Sequence, residues 1–285
     1  MNKTCLRYQG SKKLMIQKYS FQEFIPKTNH DTPYVELFCG SAIVFFNLEH
    51  PGFAFLNDKN KNLINFWNVV KSRRVEFEAA LQYVWPSRHN TDWIRDMNDP
   101  VERAVLYYLN NTQSQFITKP SSLEKDLSWW SNKLNACRVY IDDKSFEDEI
   151  DFLMKLYTSN NEDRILSLVF YEDPPYWGSE DVYKSYQSSD GINQKPEPFA
   201  HDLLATKNHD LAAKDFTIIL SYNDCAEIRA LYTDWYIMEF AYSPNGCGNN
   251  KALPRTELLL SNKPLLRQLP YKKINQFWNQ DTIKK

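Results

Sequence analysis

Residues 173 to 176 read Asp173-Pro174-Pro175-Tyr176 and follow the apolar run Leu168-Val169-Phe170-Tyr171. A carboxylate and an aromatic are thereby placed at the carboxyl end of a buried strand, where open α/β sheets bind ligands. The exocyclic amine of a base such as adenine is a poor nucleophile, because its lone pair is delocalised into the ring. A rigid site accepting both N–H hydrogens, one on the Asp173 carboxylate and one on the Pro174 carbonyl, would localise that lone pair for in-line attack on a sulfonium methyl. Prolines suit such a site because they orient a carbonyl without offering a competing N–H. Tyr176 would stack on the base, which must leave a duplex to be reached. Taken alone, the tetrapeptide is equally a stiff turn at the end of a strand.

A second constellation, Phe38-Cys39-Gly40-Ser41-Ala42, is a small-residue turn between a strand and a helix, followed by Asp58 at the end of the next strand. Such a turn lets backbone approach a nucleotide-like cofactor while the carboxylate takes its ribose hydroxyls. Without a full Gly-x-Gly-x-x-Gly or a P-loop, NAD and ATP are disfavoured. Nearer the start, Arg7-Tyr8-Gln9-Gly10-Ser11-Lys12-Lys13-Leu14 reads by itself as a basic surface turn; in combination with the other groups it offers a tyrosine for an adenine ring and a lysine for the cofactor or a phosphate. The five histidines have no metal-ligand spacing, Trp129-Trp130 reads as packing, and no Gly-x-Ser-x-Gly elbow is present.

These groups must be positioned by a parallel sheet. Strands are predicted at 34–38, 53–56, 164–171, 216–220, 236–240 and 257–260, with helices at 42–48, 60–67, 199–207 and 224–231. Alternating strand and helix implies an α/β fold. From 71 to 162 the sequence turns helical and polar-aromatic, with Asp99-Pro100-Val101-Glu102 opening a helix through Leu109. The predicted organisation is a catalytic domain of residues 1–70 and 163–285 interrupted by an inserted module at 71–162.

The 285 residues, 42% hydrophobic, suffice for one such core plus the insertion. Five scattered cysteines support neither a disulfide framework nor a zinc site, and no apolar run suggests a signal or membrane span, so a cytoplasmic protein is expected. A net charge of −2 and a pI near 6.2 are not those of a bulk polyelectrolyte binder. A local basic surface could come from Lys12, Lys13, Lys18, Arg73, Arg74 and Arg88.

In this order the blocks resemble the DNA adenine methylase (Dam) family over nearly the whole chain. The family begins with a segment similar to Tyr8-Gln9-Gly10-Ser11-Lys12. A cofactor turn like Val35-Glu36-Leu37-Phe38-Cys39-Gly40-Ser41-Ala42 and a ribose-binding acid like Asp58 follow, then a recognition insertion, then Asp-Pro-Pro-Tyr. Its closing strands are similar to Leu220-Ser221-Tyr222-Asn223-Asp224 and Arg255-Thr256-Glu257-Leu258-Leu259.

The resemblance implies a Rossmann-like methyltransferase sheet with helices on both faces and an inserted, mainly helical target-recognition module. The implied reaction is S-adenosylmethionine-dependent N6-methylation of a flipped adenine in double-stranded DNA, by a monomer or weak dimer without metal. Implied roles are catalytic for Asp173, Pro174, Pro175 and Tyr176, cofactor-binding for Tyr8, Gly10, Lys12, Phe38, Gly40, Ser41, Ala42 and Asp58, and DNA-backbone contact for Lys251 and Arg255. Two departures stand out: Ala42 replaces a customary glycine, and Asn111-Thr112-Gln113-Ser114-Gln115-Phe116-Ile117-Thr118-Lys119 replaces a customary Asn-Gly-x-x-Arg stretch. Other planar amines (cytosine N4, RNA adenine, a glutamine amide) or a catalytically impaired DNA-binding homologue remain open, with Asp ahead of Pro174 favouring adenine.

Overall fold

The computed structural model describes residues 6, 11–49, 51–84, 98–111, 120–158, 167–179, 198–242 and 255–266. Strands β1 (Tyr34–Glu36), β2 (Phe53–Asn57), β3 (Arg138–Asp142), β4 (Val169–Glu172), β5 (Thr217–Asn223), β6 (Tyr236–Tyr242) and β7 (Arg255–Ser261) form one sheet. Their spatial order is β3-β2-β1-β4-β5-β7-β6. The first five run parallel, and β7 lies antiparallel between β5 and β6. Strand order reverses between β1 and β4, so their carboxyl ends diverge into the crevice where such sheets take ligands.

Alternation along the strands supplies two apolar layers. Val35, Phe55, Phe170, Ile218, Leu220 and Leu258 face one side, packed with helices α7 (Phe146–Thr158), α8 (His201–Ala213) and α9 (Ala226–Leu231). Tyr34, Leu56, Val139, Tyr171, Ile219 and Leu259 face the other. That side is covered by α1 (Lys13–Tyr19), α2 (Ile43–Asn47), α3 (Lys61–Ser72) and the helices α4 (Arg74–Val84), α5 (Pro100–Asn111) and α6 (Pro120–Ala136). Helix starts follow local chemistry: the Asn60 side chain accepts from Asn62 and Leu63 N–H at 3.1 Å each, and Asp99 accepts from Val101 N–H at 2.7 Å. Pro100 then takes the first helical position, where no intrahelical N–H is needed.

The strand-free stretch ends earlier than the sequence suggests. Residues 138–142 form β3, paired in parallel with β2, and α7 packs on the sheet. Helices α4 to α6 share their core with α3 through rings such as Phe66, Phe77 and Tyr108. Trp130 is buried among them, as packing requires, while Trp129 lies partly open against Phe46. Cys39, Cys137 and Cys225 are free thiols. Among the described residues, no helix is long and apolar enough to cross a membrane, and no cluster of His, Cys, Asp or Glu could hold a metal ion.

Two buried glutamates make the fold sensitive to pH. Glu36 accepts from the Tyr34 hydroxyl at 2.6 Å and Phe45 N–H at 2.8 Å, and Glu172 accepts from Asn208 at 2.7 Å. Burial pushes each up to about 8 despite these bonds. The folded chain therefore keeps protons that the unfolded chain releases above its usual carboxylate range, so stability is lost as pH rises. The thermal midpoint is expected to fall between pH 5 and 8, and Glu172→Gln to flatten that slope; a midpoint that rises over this window would contradict the assignment.

Candidate active site

The crevice is built from neighbouring strand ends. After β1, Gly40 and Ala42 take φ of 48° and 49°, both in the left-handed region. For Gly40 this costs little, whereas an alanine there costs roughly 1–2 kcal/mol. The departure at Ala42 is thus tolerated by a turn that is fastened elsewhere. Cys39 N–H donates to the Asn57 carbonyl at 2.8 Å, and Trp67 of α3 donates to the Gly40 carbonyl at 3.0 Å. Ser41 is buried within the same turn, and Phe38 packs against Phe146 and Phe199.

Asp58 sits at the end of β2. One carboxylate oxygen accepts from Gly40 N–H and the other from Asn60 N–H, each at 3.0 Å. Burial pushes the Asp58 carboxyl up, and the two backbone bonds pull against that rise. Each oxygen accepts only one of these bonds and keeps capacity for another. Asn57 ties the neighbouring ends together, donating to the Leu37 and Lys144 carbonyls at 3.1 Å and accepting from Lys144 N–H at 3.0 Å. The β3–α7 turn is thereby drawn into the site, a contribution the sequence reading missed along with β3.

After β4 comes Asp173-Pro174-Pro175-Tyr176, with Pro174 buried and Tyr176 half-buried. Lys12 Nζ lies 2.6 Å from both Asp173 oxygens and 3.2 Å from Glu257. Ser221 of β5 donates to Glu257 at 2.9 Å and lies 3.4 Å from Asp173. The Tyr176 hydroxyl also donates to Glu257, and Lys12 Nζ stands 5.1 Å from the Tyr176 ring centre. Burial opposes the charge on Lys12, but Asp173 and Glu257 more than offset it and hold the ammonium above its usual range. Burial pushes Asp173 up, Lys12 draws it back and Glu257 adds to the rise, leaving it at about 6. Near neutral pH the site therefore holds an ionised Asp173, an acceptor ready for N–H donors.

The structure brings Lys12, Asp173 and Tyr176 into one cluster, with Phe38, Gly40, Ser41, Ala42 and Asp58 along the neighbouring strand ends. It relocates Lys12: only 2% exposed, the residue belongs to no basic surface, and its described charge partners are Asp173 and Glu257. Arg73 and Arg74 are paired with Glu76 and Glu78, while Lys13 and Lys18 are exposed on α1, Lys18 donating to the Ala241 carbonyl. Tyr8, Gly10, Arg88, Lys251 and residues 112–119 lie outside the described residues. Arg255 opens β7 at the crevice edge of the sheet, two residues before Glu257.

Ser221 and Glu257 were not singled out from the sequence as site residues. The available signal was a lone carboxylate at the head of the apolar strand Thr256-Glu257-Leu258-Leu259-Leu260.

A relative described as a DNA adenine methylase, from Serratia marcescens, is 24% identical over 229 residues, covering 71% of this chain and 77% of the relative. The family profile for D12 class N6 adenine-specific DNA methyltransferases matches residues 8–243, reaching from the N-terminal segment through both strand-end turns and Asp173 to the end of β6. With most of the chain matched and the strand ends arranged as described, the protein belongs to the D12 class N6 adenine-specific DNA methyltransferase family.

Proposed function

We propose that the crevice binds S-adenosylmethionine beside the Gly40 turn and methylates N6 of an adenine held on Asp173. The observation that carries this reading is the divergence of β1 and β4 at the strand-order reversal, with a nucleotide-type turn on one lip and a polarising carboxylate on the other. When bound, the cofactor supplies a methyl group on a positively charged sulfur. The residues present fit it: a turn in the left-handed region, a half-buried Asp58 with lone pairs to spare, and the Phe38, Phe146 and Phe199 rings beside them.

The chain's own residues do the rest. Asp173 and the Pro174 carbonyl accept the two N–H hydrogens of the amine, drawing its lone pair out of the ring. Tyr176 offers a ring face for the flipped base, whose extraction costs a few kcal/mol that stacking offsets. The proton lost from the methylated amine is accepted by the Asp173 carboxylate and passed to solvent, to which a fifth of that side chain remains open. Lys12 keeps Asp173 ionised until the amine arrives. The inserted helices α4 to α6 and the segments joining them carry target recognition, with Arg255 and Lys251 on the DNA backbone.

Calorimetric titration tests the cofactor half of this reading. Wild-type protein is expected to bind S-adenosylmethionine, and Asp58→Ala to bind it about 10- to 100-fold more weakly, since hydrogen bonds to a charged group are worth roughly 1.5–3 kcal/mol. Equal affinity in the two proteins removes Asp58 from the ribose role.

A further inference from the structure

The feature that the mechanism above leaves unused is Glu257. Its side chain is 3% exposed, and one oxygen, Oε1, gathers three donors: the Tyr176 hydroxyl, the Ser221 hydroxyl at 2.9 Å and the Lys12 ammonium at 3.2 Å. These donors come from the turn after β4, from β5 and from the N-terminal segment. A carboxylate this buried is costly unless it is needed, and a neutral residue would fill the space.

Topology explains how it arrives. Parallel strands deliver their carboxyl ends to the crevice, but β7 is antiparallel, and the Asn223–Glu257 pair puts its opening residues there. The sheet thus sets a second carboxylate beside Asp173 from the one strand direction that otherwise points away from the crevice.

Charge counting then raises a question that the Asp173 role creates. Lys12 Nζ takes one donor position on each Asp173 oxygen at 2.6 Å, on the same carboxylate that must accept an N–H of the target amine. An ammonium leaving a buried carboxylate needs another anion within reach, or the desolvation cost stops it. Glu257 is that anion, already at 3.2 Å.

We propose that Glu257 is a positioning residue of methyl transfer. It fixes the plane of the Tyr176 ring through the tyrosine hydroxyl, and it receives Lys12 when the target amine takes an oxygen of Asp173. This inference rests on the reading that Asp173 accepts the amine.

Asp173 is faced by Lys12 from the N-terminal segment, Glu36 from β1, Tyr171 and Tyr176 from β4 and its turn, Ser221 and Tyr222 from β5, and Glu257 from β7. Lys12 favours its ionised form, and Glu257 is the carboxylate that opposes it. Neutralising Glu257 therefore has two opposed consequences. Asp173 ionises more readily, moving the acid limb of the rate profile to lower pH. Lys12 is left with Asp173 alone, slowing the exchange and lowering kcat across the profile.

The test is steady-state methylation by Glu257→Gln against pH, with Asp173→Asn and Tyr176→Phe measured alongside and unfolding midpoints recorded. Expected are a kcat at least tenfold lower in Glu257→Gln, an acid limb displaced downward, an unchanged KM for S-adenosylmethionine, and recovery of most of kcat in Glu257→Asp. Tyr176→Phe removes one donor without altering charge, so its kcat should fall several-fold while the acid limb stays in place.

Wild-type kcat and an unmoved limb in Glu257→Gln, with Asp173→Asn inactive, overturn the Glu257 proposal alone. Full turnover in Asp173→Asn overturns the reading beneath it instead. Should Glu257→Gln not fold, Glu257→Asp and Tyr176→Phe carry the decision: wild-type kcat in Tyr176→Phe, or no activity in a folded Glu257→Asp, overturns the positioning role.

Discussion

Replacing Lys12 by methionine is expected to move the acid limb of the methylation profile upward by more than one pH unit, from the value near 6 set by Asp173 in the intact site. The substitution fills the space of the lysine stem but leaves Asp173 and Glu257 facing each other without their shared cation. Removing one partner of a buried ion pair costs about 3–5 kcal/mol because the charge left behind is uncompensated, and the chain relieves most of that by keeping Asp173 protonated. A protonated Asp173 keeps only a neutral carbonyl acceptor and lacks the charge that localises the lone pair of an amine. Activity at neutral pH therefore falls, roughly tenfold for each unit by which the carboxyl lies above the assay pH, and returns at alkaline pH.

Stability shows the same linkage with a definite sign. The folded state of Lys12→Met holds a proton on Asp173 that the unfolded chain releases above its ordinary carboxylate range. Relative to wild type the variant is thus little changed near pH 4 and increasingly destabilised as pH rises through the raised Asp173 value. Thermal denaturation at pH 5 and pH 8 checks this. A destabilisation equal at both pH values would mean that Lys12 acts by packing alone.

The second large effect belongs to Asp173 itself. Asp173→Asn keeps the shape and leaves Lys12 paired with Glu257, so the buried charge is balanced and the fold should persist. The amide oxygen can still accept one N–H, but it lacks the charge that stabilises the amine as positive charge develops on its nitrogen. A preorganised electrostatic contact of this kind is worth about 10²- to 10³-fold in kcat, and a loss of that size is expected with cofactor affinity unchanged. Calorimetry and single-turnover kinetics on the same preparation separate the two; loss of cofactor binding in Asp173→Asn would assign the carboxylate to the wrong ligand.

How much of this was legible in the sequence depended on whether local pattern or tertiary packing decided each feature. Strands β1, β2, β4, β5, β6 and β7 carry apolar residues on both faces or on one long face, and their positions follow from those runs. Strand β3 does not. Its apolar run, Val139-Tyr140-Ile141, is only three residues long between charged neighbours, and as an edge strand it buries Val139 alone and leaves Tyr140 largely open, so its signal is weak.

The site divides along the same line. Gly40, Asp58 and Asp173 end parallel strands, and a reader who places the strands places the residues. Lys12 is a cation in a polar N-terminal stretch, and nothing local distinguishes a solvated lysine from one enclosed by three elements. Glu257 is hidden by direction, since expectation looks to strand carboxyl ends and β7 supplies its beginning. The left-handed Ala42 was visible as a departure from the family pattern, but its cost and its fastening by Trp67 and Asn57 emerge only in three dimensions.

The central claim, adenine N6 methylation through Asp173, is tested most directly by nucleoside analysis of DNA incubated with isotopically labelled S-adenosylmethionine and either wild-type protein or Asp173→Asn. The account predicts labelled N6-methyladenine with wild type and at most a trace with Asp173→Asn under matched conditions. Labelled methylcytosine, or N6-methyladenine at wild-type levels with Asp173→Asn, would contradict it.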